Sequence, residues 1–347
     1  VYLMILASGA AATSLLASTG AAATPLVGLA SSGAAATSLV GSGSGGLAAI
    51  GPAAGRIVEA PHIPRRGLLD GVLLPERAIR VWLPPGYDED EQKRYPVLYV
   101  HDGQHVMARR TSWRDRPSWQ LGDTFSWLLA KEQVEPAIVV MLDSVEVGAD
   151  PLNNPFFRRR WLEYDCNTPV FGERYLTFVC DELKPAIDSN FRTLTGPAAT
   201  SSLGSSMGGL CSFLLLWKRP ETFGNSACLS PVFQAPLIAD VAMRGSRLRP
   251  SGSAVHTSRL YIDNGGDADG QRVPMLDLLD GPEAGWWWLD SQLQPGVDGM
   301  RAALELHKVP FRYHRAPGAR HNERAWARRV DLPLLHLYGK TAARIVS

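Results

Sequence analysis

From about Arg56 onward, short runs of β-branched and aromatic residues alternate with longer amphipathic stretches. Seven of the short runs are expected to be strands: 78–83, 96–101, 137–143, 200–204, 225–229, 259–263 and 310–316. In the stretch 172–190, four apolar residues recur every four positions on one helical face: Tyr175, Val179, Leu183 and Ile187. The alternation predicts an α/β fold, with a mostly parallel sheet covered by helices on both faces.

Three further helices are expected after the central strands. They cover 207–218, 298–308 and about 323–338, the last of which closes the chain. Pro185 lies inside the first predicted helix, and because it has no backbone N–H it should bend or shorten that helix.

The first 55 residues differ in kind, because they contain no charged side chain. They repeat one theme, LASGAAATSL from Leu6, LASTGAAATPL from Leu16 and LASSGAAATSL from Leu29. Two interpretations stay open, an export leader or weak anchor and a low-complexity linker or packing arm, so cytoplasmic and exported locations both remain open. We therefore separate an uncharged N-terminal arm or leader, 1–55, from a globular domain, 56–347, and regard the arm as a candidate interface between subunits.

The net charge and the cysteine spacing of the chain limit the partners, metal sites and disulfides that it could have. The formal net charge is +1 over 347 residues, so no overall field would gather nucleic acid or an anionic membrane, and there is no firm membrane signal. The four cysteines form no CxxC pair and show no metal-ligand spacing. Cys211 and Cys228 fall in apolar elements, whereas Cys166 and Cys180 are candidates for a disulfide if the protein is exported.

One short motif carries candidate chemistry. Residues 204–208 read Gly-Ser-Ser-Met-Gly, a G-x-S-x-G pattern placed after a predicted strand and before an apolar helix. A turn this sharp forces the middle serine into an unfavourable backbone pose and leaves no room for nearby β-carbons. The pattern indicates Ser206 as a nucleophile held in a constrained turn.

A serine nucleophile needs a base and an acid, which α/β-hydrolases supply in the order Ser, acid, His. Among the histidines after Ser206, His321 alone follows a strand by a short turn and precedes a helix. The acid is expected after the preceding strand, in DNGGDADG, where we favour Asp269 and keep Asp267 as the alternative. At this point both Asp269 and Asp267 stay open as the acid.

The end of the second strand, VHDGQH, lies where the fold supplies an oxyanion donor. Gly103 or Gln104 is the expected donor there, and Met207 N–H is the second, at the start of the helix after the serine. His101, Asp102 and His105 could also be read as metal ligands, but no further ligand has a suitable spacing, so no metal is assigned.

Several stretches together resemble the esterase family of α/β-hydrolases that contains enterochelin and ferric-siderophore esterases, feruloyl and acetyl-xylan esterases and S-formylglutathione hydrolases. They are IRVWLPPGYDEDEQKRYPVLYVHDGQHVM, RRRWLEY, LGSSMGGLCSFLLLWKRPETFGNSACLSPVF and RHNERAWARRVDLPLLHLYG. The resemblance covers about 78–339 and implies Ser206 as nucleophile, His321 as base and an oxyanion loop after Asp102. It makes 56–347 an α/β-hydrolase catalytic domain.

The resemblance also implies a substrate-binding set. RRRWLEY looks like the active-site Arg and Glu-Tyr segment of the siderophore-esterase branch, so Arg160, Glu163 and Tyr164 are expected at the substrate together with Asp102. Three consecutive tryptophans, 286–288, cannot all point into one core, and Trp287 is the expected aromatic contact. In the acid turn the sequence departs from the family, because DNGGDADG lacks the usual threonine.

Three functions compete at this stage. The first is a serine carboxylester hydrolase of siderophore-esterase type that acts through an acyl-enzyme on a small ester, without metal or organic cofactor. The second is a feruloyl or acetyl esterase acting on plant polysaccharide. The third is a non-catalytic α/β-hydrolase scaffold used for binding or assembly.

Overall fold

The computed structural model describes residues 55–58, 63–65, 68–69, 72–107, 118–145, 159–165, 171–248, 258–275 and 286–340. The predicted N-terminal arm lies outside these residues except for Gly55, and Cys166 also lies outside them. Within the described part, no helix is long and apolar enough to cross a membrane.

The central feature is an eight-stranded sheet, accompanied by a separate two-stranded hairpin. The strands in chain order are β1 (Arg56–Val58), β2 (Leu68–Leu69), β3 (Val72–Leu73), β4 (Ile79–Leu83), β5 (Val97–His101), β6 (Ile138–Leu142), β7 (Thr200–Ser205), β8 (Asn225–Leu229), β9 (Arg259–Asn264) and β10 (Arg312–Arg315). The large sheet has the order β1-β4-β6-β5-β7-β8-β9-β10, and β2 pairs with β3. All seven predicted strands are present to within two residues at each end.

The sheet is antiparallel at one edge and parallel over the rest. β4 pairs antiparallel with β1 and β6, whereas β6, β5, β7, β8, β9 and β10 run parallel to one another. After β5 the chain goes to β6 on one side and later returns to β7 on the other. The carboxyl ends of β5 and β7 therefore flank a topological switch point, where open α/β sheets bind ligands.

Helices cover both faces, which confirms the predicted α/β architecture. They are α1 (Leu121–Ala130), α2 (Arg159–Tyr164), α3 (Gly172–Thr177), α4 (Lys184–Asn190), α5 (Met207–Lys218), α6 (Ala235–Arg244), α7 (Leu289–Leu306), α8 (Glu323–Ala327) and α9 (Asp331–Tyr338). One apolar cluster packs the α3–α7 side of the sheet, and a second packs α1, α8 and α9 against the other side.

Pro185 accounts for one irregularity among the helices, and two other helices differ from their predicted bounds. A π-helical segment, Phe178–Leu183, joins α3 to α4 just before Pro185, which is the distortion expected where a backbone N–H is missing. By contrast, α7 begins at Leu289 rather than near Asp298, and it continues through Pro295. The expected last helix is divided into α8 and α9 by a turn over 328–330.

The three short helices α1, α2 and α6 were not predicted from the sequence. Cys180, Cys211 and Cys228 are buried and form no disulfide with one another. The candidate disulfide between Cys180 and Cys166 involves a cysteine that lies outside the described residues.

The turn between β7 and α5 has no spare volume. A β-carbon added at Gly204 would lie 2.3 Å from the carbonyl oxygen of Gly208, which is backbone and cannot rotate away. A β-carbon added at Gly196, before β7, would meet nothing within 4 Å.

We expect Gly204→Ala to lower the free energy of unfolding by about 3 kcal/mol or more, because the helix must move off the sheet to admit the methyl group. Urea unfolding followed by circular dichroism measures the change. Gly196→Ala is the matched control and should stay within about 0.5 kcal/mol of wild type. Equal unfolding midpoints for the two variants would contradict the steric account.

Candidate active site

Ser206 occupies a strained turn at the carboxyl end of β7. Its backbone has φ 57° and ψ −123°, a combination that non-glycine residues rarely adopt. Two backbone hydrogen bonds maintain this strained conformation. Ser206 N–H donates to Leu229 O at 2.9 Å, and Ser206 O accepts from Val232 N–H at 3.3 Å. Ser206 is partly exposed whereas Ser205 is buried, so the turn presents the serine that the motif indicated.

His321 and a buried carboxylate lie at the same end of the sheet. His321 Nδ1 is 2.6 Å from Oδ1 of Asp290, whose side chain is fully buried at the start of α7. Asp290 Oδ2 accepts from Ser230 Oγ at 3.0 Å, and Ser230 directly follows Leu229, the residue that holds the serine turn. A short chain of hydrogen bonds therefore links the Ser206 turn to the imidazole.

The carboxylate beside His321 is not one of the two expected from sequence. Asp269 is exposed in a tight turn with φ 50°. Asp267 points elsewhere, since Oδ1 accepts from Val273 N at 2.7 Å and Oδ2 pairs with Arg272 at 2.9 Å. The expectation of Asp269 or Asp267 as the partner of His321 is corrected to Asp290.

Sequence reasoning missed Asp290 because it searched only the loop directly after β9. Asp290 belongs to the first turn of α7, 26 residues after the strand ends at Asn264, and its only sequence signal is an acidic residue opening an amphipathic helix. The loop still contributes, because Gly265 N–H donates to Asp290 Oδ2 at 2.9 Å. A β-carbon on Gly265 would lie 2.2 Å from that oxygen, so only glycine permits this approach.

The electrostatics of Asp290 favour its ionised form. Burial by itself raises the pKa of this carboxyl, but the charge and hydrogen bond of His321, with Arg329 and Ser230, outweigh burial and lower the pKa below its ordinary value. An ionised carboxylate only accepts hydrogen bonds, so His321 Nδ1–H is the donor and Nε2 carries the free lone pair.

The predicted oxyanion donors lie at the amino ends of two helices. Gly103 and Gln104 open a 3₁₀ turn, Gly103–His105, directly after β5, and Met207 opens α5 after β7. The first N–H groups of a helix have no partner within that helix and point toward its amino end. The Gln104 side chain is fixed by two bonds to Ser144, at 2.7 Å and 3.0 Å, which holds the 3₁₀ turn in place.

Arg160 and Asp102 form a bidentate ion pair next to the serine turn. Arg160 Nε and Nη2 each lie 2.6 Å from one oxygen of Asp102, and Nη2 also contacts Ser205 O at 3.3 Å. Burial by itself raises the pKa of Asp102, but Arg160 outweighs it and the pKa falls below the usual range. Neighbouring His101 has its pKa lowered to about 4, mainly by burial and further by Arg160 and Arg77, so it is neutral at pH 7.

Two of the residues expected at the substrate are instead part of the support beneath it. The Glu163 carboxylate is fully buried between Arg77, at 2.9 Å and 3.0 Å, and Arg159, at 3.2 Å. Tyr164 is also fully buried, and its hydroxyl accepts from Asp102 N–H at 3.4 Å. With no accessible surface, Glu163 and Tyr164 cannot touch a substrate, and that expectation is corrected.

The tryptophan run directly precedes Asp290. Trp286 is 46% exposed, Trp287 is partly buried, and Trp288 packs against the main apolar cluster. The rings of Trp286 and Trp288 lie 6.4 Å apart. The aromatic surface at this position is therefore offered mainly by Trp286, rather than by the expected Trp287.

No group of three or more His, Cys, Asp or Glu side chains that could hold a metal ion occurs among the residues described.

Comparisons with known proteins identify the family to which the chain is similar. The family model Esterase, described as "Putative esterase", matches residues 73–331. An endo-1,4-beta-xylanase/feruloyl esterase of Xylanibacter ruminicola is 33% identical over 153 residues, 43% of this chain but only 19% of that protein. The uncharacterized protein YbbA of Bacillus subtilis is 23% identical over 196 residues, 55% of this chain and 68% of YbbA.

Solved structures share the fold at low sequence identity. A ferulic acid esterase has a TM-score of 0.55 at 17% identity, covering 82% of this chain and 98% of that one. The enterobactin esterase FES of Shigella flexneri has a TM-score of 0.52 at 17% identity, covering 82% of this chain and 59% of that one.

Proposed function

The chain belongs to the esterase family just described, a family of serine esterases, and we propose that it hydrolyses carboxylic esters through Ser206, His321 and Asp290. The observation that carries the proposal is the buried His321–Asp290 bond, linked through Ser230 to a serine turn with positive φ. Each of the three side chains then has one role: nucleophile, base and orienting acid.

In the proposed reaction, His321 Nε2 removes the Ser206 hydroxyl proton while the serine oxygen attacks the ester carbonyl. The tetrahedral intermediate collapses when the imidazolium returns that proton to the departing alcohol, which leaves an acyl-serine. Water then attacks the acyl-serine with the same base, and Ser206 is regenerated as the acid leaves. Asp290 remains ionised throughout and stabilises the imidazolium that forms in each half-reaction.

The developing oxyanion is assigned to backbone donors. Met207 N–H from α5 is one donor, and Gly103 or Gln104 N–H from the 3₁₀ turn is the other. Support comes from sheet order, because β5 and β7 are adjacent parallel strands and both turns lie at their carboxyl ends. The Arg160–Asp102 pair packs beneath the same turn, with the Arg160 side chain 22% exposed and available to a polar group of the substrate.

For the substrate, we propose esters that carry a phenolic aryl group. Trp286 offers an exposed indole four residues before Asp290, and aryl groups gain contact area on such a surface. The relative with 33% identity is named an endo-1,4-beta-xylanase/feruloyl esterase, and the second part of that name supports a hydroxycinnamate ester. The likeness to FES keeps a siderophore-type ester as the second candidate.

The nucleophile is tested with a fluorophosphonate probe, which reacts covalently with activated serines. We expect the wild-type protein to be labelled and Ser206→Ala to show no labelling and no ester turnover above background. Ser205→Ala is the matched control, since it removes the buried neighbouring hydroxyl and should leave labelling intact. An unlabelled wild type would contradict the esterase proposal and support the non-catalytic scaffold.

The identity of the acid is tested by three amide substitutions. Asp290→Asn should lower kcat on the order of 10⁴-fold, because the amide no longer favours the His321 tautomer with a free Nε2. Asp269→Asn and Asp267→Asn are the matched controls, and each should retain kcat within about threefold of wild type, because surface substitutions usually have small effects. Initial rates on a p-nitrophenyl ester measure kcat for all three variants. A larger loss in either control than in Asp290→Asn would contradict the assignment.

The aryl preference is tested by comparing two tryptophans of similar exposure. Trp286→Ala should lower kcat/KM for methyl ferulate by about tenfold, the scale of one lost aromatic contact, and leave kcat/KM for ethyl butyrate unchanged. Trp127→Ala, on α1 and 50% exposed, is the control and should change neither value. Faster turnover of a triscatechol lactone than of methyl ferulate would favour the siderophore-type alternative.

A further inference from the structure

Ser230 is a fully buried hydroxyl that sequence analysis did not single out. It follows β8 with φ 42°, and its oxygen makes three hydrogen bonds to two other segments of the chain. Ser230 Oγ lies 3.0 Å from Asp290 Oδ2, 3.1 Å from Trp326 Nε1 and 2.8 Å from Arg329 Nη2.

The direction of these three bonds follows from donor counting. An indole N–H and a guanidinium N–H can only donate, so Trp326 and Arg329 occupy the two lone pairs of the Ser230 oxygen. The one hydroxyl hydrogen of Ser230 is then available only to Asp290. Ser230 is thereby fixed as a donor to the carboxylate that accepts from His321.

The same bonds position the rings around His321. Trp326 packs edge-on against His321, with ring centroids 5.0 Å apart and an interplanar angle of 80°. Its indole N–H is held by Ser230, so one side chain restrains both the carboxylate and the aromatic ring that contact the imidazole.

Arg329 is balanced by a second buried carboxylate. Asp263, at the end of β9, receives Arg329 Nε at 3.0 Å and Nη2 at 3.2 Å, and Ser230 N–H donates to the same carboxylate at 3.1 Å. Asp263 belongs to β9 itself and precedes the loop in which the acid was expected. Because Asp263 neutralises the charge of Arg329, the charged group in direct contact with His321 is the Asp290 carboxylate.

We propose that Ser230 is a positioning residue of the esterase site, whose hydroxyl directs Asp290 toward His321 and sets the basicity of the imidazole. The inference rests on the proposed function, in which His321 is the base. Removing the hydroxyl removes one donor from Asp290, so its negative charge is less dispersed and holds the proton of the imidazolium more tightly. The midpoint at which His321 deprotonates then rises.

A shift of the midpoint can be assigned to Ser230 only if the other charges around the His321–Asp290 pair are the same in the variant and in the wild type. They are Arg329 and Asp263 behind Ser230, His314 on β10, Arg320 beside His321, Glu323 at the start of α8, and the Arg160–Asp102 pair beyond the serine turn. Substituting Ser230 changes none of these charges: Arg329 loses its bond to the Ser230 oxygen but keeps its ion pair with Asp263.

The experiment is the pH profile of kcat/KM on a p-nitrophenyl ester. For Ser230→Ala we expect kcat to fall about tenfold with KM little changed, and the midpoint of the acid limb to move up by about half a pH unit to one unit. This is less than the roughly one to two pH units that one hydrogen bond to a charged group represents, because Asp290 rather than His321 loses the donor. Ser226→Ala is the matched control, because it removes another buried serine hydroxyl from β8 and should keep the wild-type midpoint.

Two further variants separate positioning from a loss of packing. Ser230→Cys fills the site with a slightly larger group that donates more weakly, so it should shift the midpoint in the same direction by less, and it carries the test if Ser230→Ala fails to fold. Trp326→Phe keeps a ring against His321 but deletes the indole donor, so Ser230 still donates to Asp290 and the acid limb should keep its midpoint, whatever happens to kcat.

The outcomes that overturn the inference are distinct from those that overturn the proposed function. A wild type that is labelled at Ser206 and active, with unmoved midpoints in both Ser230 variants, overturns the role of Ser230 alone. A shift in Trp326→Phe equal to that in Ser230→Ala shows that Ser230 acts through the indole, and also overturns it. A wild type with neither labelling nor turnover overturns the proposed function itself.

Discussion

The sharp turn from β7 into α5 is the constraint on which the rest of the structure depends. The helix must leave the strand at once and pack back against the sheet, and it can do so only because Gly204 and Gly208 touch backbone to backbone. The resulting positive φ at Ser206 is held by bonds to β8 and to the segment that follows β8. One steric constraint thereby places a partly exposed serine and the amino end of a helix at the switch point of the sheet.

Two groups of buried ion pairs lie at the ends of the strands around that turn. On one side Arg77, Arg159 and Glu163 form a buried cluster below the Arg160–Asp102 pair, and on the other Arg329 pairs with Asp263. Burying such pairs gives little net stability, yet removal of one partner leaves an unpaired charge that costs about 3–5 kcal/mol. These pairs are therefore better understood as devices that fix geometry than as sources of stability.

The strands, the serine turn and the histidine could be predicted because each is a local pattern. Alternating apolar runs predict strands, and the G-x-S-x-G spacing predicts Ser206 from steric requirements within five residues. Asp290 could not be found this way, because its contact with His321 joins two residues 31 positions apart, with most of α7 and all of β10 between them. Likewise, burial of Glu163 depends on Arg77, 86 residues earlier, and no local pattern records that partner.

The positions of the two buried carboxylates explain why the carboxylate that contacts His321 lies on α7 rather than at the end of β9. Asp263 and Asp290 both contact Ser230, and two carboxylates that share a partner repel each other unless a cation neutralises one of them. Arg329 binds Asp263 and removes that conflict, which leaves Asp290 ionised with an oxygen directed at His321. The strand-end carboxylate thus anchors the arginine, while the carboxylate supplied by the helix faces the imidazole.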